Sequence, residues 1–134
     1  MFRKNLFSPI VIQKIHPIRV IQVWVGLRLA LNSIMLSQVS IEELKKSLAG
    51  PRPPKLIDIR EPEEYARGHV KGAELIPLPQ LAKEIHRKYP NKHVPVVLYD
   101  DLGVRSHHAA RLLRALGYYN VKEVIGGYAT ALGN

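Results

Sequence analysis

Between residues 55 and 125, short apolar runs alternate with helix-forming segments, and that alternation leaves few folds open. Val94-Pro95-Val96-Val97-Leu98-Tyr99 is the strongest run, and its β-branched and apolar character implies a strand buried on both faces. Lys55 to Ile59, Ala73 to Ile76 and Val121 to Ile125 read as further strands. Ser40-Ile41-Glu42-Glu43 is a capping box that opens a short helix, ended by Gly50 and the Pro51, Pro53, Pro54 cluster. A proline early in Glu61-Pro62-Glu63-Glu64-Tyr65, with acids near the positive end, starts a second helix that Gly68 stops. Leu81 to Tyr89 reads as an exposed helix. Arg105 to Leu116 reads as a helix with Ala109, Leu112, Leu113 and Leu116 on its buried face and Gly117 as its stop. Tyr118 and Tyr119 are expected to cover an edge of the core, and Gly126-Gly127 to lead into a last short helix. The expected fold is α/β, a mostly parallel central sheet with helices on both faces.

A chain of 134 residues has room for one such core. It contains no cysteine, which excludes disulfides, thiolate metal sites and thiol nucleophiles together. The net charge of +9 is uneven. Arg3, Lys4, Lys14, Arg19 and Arg28 lie in the first 36 residues without an acid, whereas later residues mix both signs without a basic, aromatic-interleaved stripe. No nucleic-acid partner is therefore expected. Residues 1–34 form a basic, apolar leader and 35–134 the domain. Pro9 and Pro17 interrupt an early helix, and Arg19, Gln22, Arg28 and Asn32 interrupt the apolar stretch too often for a membrane span. Three readings of the leader stay open: a targeting or membrane-surface segment, an ordered extension, or an upstream mis-start before Met35. A cytoplasmic location is expected for the domain, subject to the first of these.

Open α/β sheets bind ligands beyond the carboxyl ends of their strands. Asp100-Asp101-Leu102-Gly103-Val104-Arg105 lies at such a place, a tight turn running into a helix N-terminus. Converging amides and the helix dipole make an anion pocket there, with Arg105 at the rim. An ordinary strand-to-helix turn would look much the same from spacing alone.

Leu56-Ile57-Asp58-Ile59-Arg60-Glu61-Pro62-Glu63-Glu64-Tyr65 and Gly68-His69-Val70-Lys71-Gly72-Ala73 resemble the opening signature of rhodanese-like domains. Gly103-Val104-Arg105-Ser106, Leu112 to Tyr118 and Val121 to Gly127 are similar to that family's loop, helix and closing strand. The resemblance implies a rhodanese-like fold and a loop of pattern Cys-x-x-Gly-x-Arg, whose thiolate carries sulfane sulfur between a donor such as thiosulfate and an acceptor. Asp100 occupies the cysteine position. A carboxylate forms no equivalent persulfide, and Ser106 lies beyond the loop.

Two functions follow from the resemblance: a catalytically inactive module that binds or regulates a protein partner, or sulfur transfer completed by a partner's cysteine at the Asp100 loop. Asp100 is expected to act as a built-in anion in the amide pocket, the alternative being that it points to solvent; a small anion at the loop remains a further option. Asp58, Arg60 and His69 are expected to brace the loop, with His69 hydrogen-bonded near it. No cofactor or metal is expected, because His107 and His108 diverge by about 100° on a helix and lack further ligands.

Overall fold

A computed structural model describes residues 20–28 and 37–132. The chain divides into two compact units, residues 1–35 and 36–134. In the first, residues 20–28 are helical; the rest of the leader reading lies outside the described residues. The second carries five strands, β1 (Gln38–Val39), β2 (Lys55–Asp58), β3 (Glu74–Leu75), β4 (Val96–Tyr99) and β5 (Val121–Val124). Their order in the sheet is β1-β5-β4-β2-β3, and every pairing is parallel. The helices are α1 (Ile41–Ala49), α2 (Pro62–Arg67), α3 (Leu81–Lys88), α4 (Val104–Ala115) and α5 (Gly127–Leu132).

Period-two alternation divides the strand side chains between two cores. Val96 and Leu98 join Ile57, Leu81, Ile85 and Leu113 on one side of the sheet, where α3 and α4 pack. Val97 and Tyr99 join Leu56, Val124, Ile41 and Leu44 on the other, with α1 and flanking residues of α5. The Ser40 capping box forms as read, its hydroxyl accepting the Glu43 amide while Glu43 accepts the Ser40 amide.

Three local expectations change. Helix α3 is amphipathic rather than exposed: Leu81 and Ile85, one turn apart, are fully buried while its other side chains are polar or partly covered. The buried face of α4 is Ser106, Ala109, Ala110 and Leu113, with Leu112 and Leu116 half-covered. Small side chains at three of those positions let the helix lie close to the sheet. Tyr118 is a core residue whose hydroxyl donates to the Tyr89 carbonyl at 2.6 Å, whereas Tyr119 is exposed.

Candidate functional site

Register builds this site before any side chain is considered. Asp58 ends β2 directly opposite Tyr99, the end of β4, so the residues that follow each strand emerge side by side. The Asp58–Arg60 and Asp100–Arg105 segments therefore meet at the carboxyl edge of the sheet. Gly103 takes φ 96° and ψ 0°, a left-handed conformation that turns the chain into α4 at no steric cost.

That turn aims its amides at Asp100. Asp100 is 2% exposed. One of its oxygens accepts the Gly103 amide at 2.5 Å and the Ser106 hydroxyl at 3.2 Å; the other accepts the Arg105 amide at 2.7 Å. Ser106, read from the sequence as beyond the loop, thus reaches back into it. Asp101 faces the other way, its two oxygens 2.9 Å from Arg60 and 3.5 Å from Arg105. Leu102 and Val104 point outward and are 72% and 66% exposed.

Both guanidinium groups at the loop have internal partners. Arg60 is buried and forks onto Asp58 with bonds of 2.8 to 3.1 Å, donates to the Gly68 carbonyl at 2.7 Å and lies 4.3 Å from the Tyr128 ring centre. Burial alone would lower its pKa, but hydrogen bonds to Asp58 and Asp101 outweigh it and hold the group firmly cationic. Arg105 makes a two-point contact with Glu64 at 3.0 and 2.9 Å. The hydrogen bond from Arg105 holds the Glu64 carboxyl down at about 2. Burial pushes the Tyr99 phenol well above its ordinary range, and its hydroxyl accepts the Val70 amide at 3.1 Å.

Glu64, Gly68, Ser106 and Tyr128 were not among the residues expected here from the sequence. Glu64, Gly68 and Ser106 appear in the sequence only as parts of the family-like motifs; Glu64 sits in the acidic first turn of α2, where its Oε2 accepts the Glu61 amide. His69 stacks flat on Tyr65, with Nδ1 3.0 Å from the Tyr65 carbonyl, so its hydrogen bond stays within the α2 end rather than crossing to the loop. His107 and His108 are both exposed, His107 lying 3.2 Å from the buried Glu123, and no three metal-ligating side chains cluster among the described residues. Beside the loop lies a depression of about 430 Å³ bounded by Arg60, Glu64, Arg67, Gly68, Asp101 and Tyr128.

A rhodanese-like domain model matches residues 40–131. The chain belongs to the rhodanese-like family. A Bacillus subtilis protein, YqhL, is 42% identical over 80 residues, which are 60% of this chain and 62% of that protein. The thiosulfate sulfurtransferase PspE of Escherichia coli is 37% identical over 70 residues, 52% of this chain and 67% of the enzyme. Among solved structures, a human single-domain sulfurtransferase superposes with a TM-score of 0.66 at 30% identity, covering 73% of this chain and 96% of its own. This rhodanese-like chain spans less than two-thirds of YqhL, and it contains no cysteine.

Proposed function

We propose that this rhodanese-like domain does not transfer sulfur by itself and acts as a binding or regulatory module, its loop occupied by its own carboxylate. The observation that carries this reading is the buried Asp100 carboxylate on the Gly103 and Arg105 amides, donors that would otherwise serve a bound anion. Chemistry supports it: the chain has no thiol, and a carboxylate cannot hold sulfane sulfur as a persulfide.

Electrostatics argues the same way. Asp58, Glu64, Asp100 and Asp101 oppose the guanidinium groups of Arg60, Arg105 and, at the edge of the depression, Arg67, and close ion pairs already engage the first two. A donor such as thiosulfate would meet a net negative loop with its amides taken. Leu102 and Val104, apolar and exposed on the rim, suit contact with a protein partner better than with a small anion.

The test is a thiosulfate-to-cyanide transfer assay on the full chain, with mass spectrometry for bound sulfane sulfur. Neither turnover nor a mass increment of one sulfur atom is expected. Either one from the unaltered chain overturns the reading. Asp100→Cys serves as the control, since a thiol placed at these amides should take up sulfur.

A further inference from the structure

Residues 20–28 form a helix whose side chains are all exposed. Val20, Ile21, Val23, Trp24, Val25 and Leu27 are between 42% and 69% accessible. Six of its nine residues are large and apolar, the others being Gln22, Gly26 and Arg28, and exposed apolar surface of that extent is ordinarily covered, by protein or by lipid. Its nine described residues rise about 14 Å, less than half of a hydrocarbon thickness of about 30 Å. No helix among the described residues is long and apolar enough to cross a membrane.

Charge decides what the cover would be. Arg3, Lys4, Lys14, Arg19 and Arg28 surround these apolar residues in sequence, and no acid occurs before Glu42. An anionic bilayer surface answers both features. Apolar side chains sink to the acyl boundary, an indole sits at headgroup level, and arginines meet lipid phosphates. A nucleic acid would engage the charges and leave the apolar side chains in water. We propose that residues 20–28 are a lipid-contact segment that holds this protein on anionic membrane surfaces. The inference is independent of the Asp100 loop.

Trp24 is the chain's single tryptophan, so the tryptophan emission of the full chain, excited selectively over its tyrosines, reports on this segment alone. The experiment titrates the protein with phosphatidylcholine vesicles, with and without about one-third phosphatidylglycerol, and follows emission and co-sedimentation. Anionic vesicles are expected to shift the emission to the blue, and neutral vesicles to require roughly tenfold more lipid for the same shift. Salt at about 0.5 M should weaken the anionic response strongly. Ile21→Asp combined with Val25→Asp should abolish both signals. Several results would overturn the proposal: emission already blue in buffer, an equal response to the two vesicles, no response to either, or a double variant that still sediments. A comparable shift on adding poly(U) RNA at equal phosphate concentration would also overturn it, assigning the charges to nucleic acid.

Discussion

Asp100 gathers three donors on two oxygens in a site closed to water. Asparagine in its place keeps the shape but offers one acceptor oxygen and one NH₂ group, which would face an amide donor. One buried N–H then loses its partner, at a cost of about 1 to 3 kcal/mol. The α4 N-terminus also loses an anion worth roughly 0.3 to 1 kcal/mol. Asp100→Asn is therefore expected to lower the urea midpoint clearly without changing the slope, as followed by circular dichroism. An unchanged midpoint would mean that these short contacts contribute nothing. Position 100 was legible in the sequence because the resemblance to the family's six-residue loop pattern singled it out. Its partner Ser106 was not, because a helix residue's reach back over the preceding turn depends on side-chain direction, which spacing does not carry.

At the scale of elements, two devices fix the loop. The first joins α2 to α4 through Glu64 and Arg105. Glu64 titrates at about 2 in the fold against an ordinary 4.5. Its contribution is thus complete above about pH 4.5 and is lost as pH falls toward 2. With the pair partly exposed, the effect is on the order of 1 kcal/mol. Glu64→Gln should make the unfolding free energy flatter between pH 5 and pH 2.5 than that of the parent, in urea titrations at stepped pH; parallel curves would remove Glu64 from the acid response. The second device is the approach of α5. Tyr128 and Ala129 donate their amides to the Asp100 and Asp101 carbonyls at 2.7 and 3.1 Å. Gly127 has φ 63°, and a Cβ there would lie 2.6 Å from the Asp101 carbonyl carbon. Gly127→Ala should cost more than about 2 kcal/mol by thermal or urea unfolding, because backbone rather than a flexible side-chain tip would have to move. The double glycine was visible in the sequence as a link to a last helix. Its contact with the loop was not, since the two segments meet only through the sheet order.

For the domain as a whole, the sheet is a wall between two cores, and strand alternation made that arrangement readable in advance. What the sequence left unread was how helix faces were shared out. Ala109 reads as buried, whereas Ala110 and Ser106 look unremarkable as letters; all three set how closely α4 lies on the strands, and α3 hides two residues in an otherwise polar segment. The wall has an energetic consequence. Leu44 on α1 and Leu113 on α4 are both fully buried, in different clusters on opposite sides of the sheet. Truncating either to alanine leaves a cavity and should cost about 2 to 5 kcal/mol. Since the two share no packing partner within a cluster, the losses should add to within about 0.5 kcal/mol in Leu44→Ala, Leu113→Ala. If that double variant is too unstable to measure, Leu44→Val with Leu113→Val carries the same comparison at lower cost. Urea unfolding of the parent, both singles and the double closes the cycle. A coupling well above that margin would mean that β2 and β4 shift when either side is hollowed, and the two cores would then behave as one body.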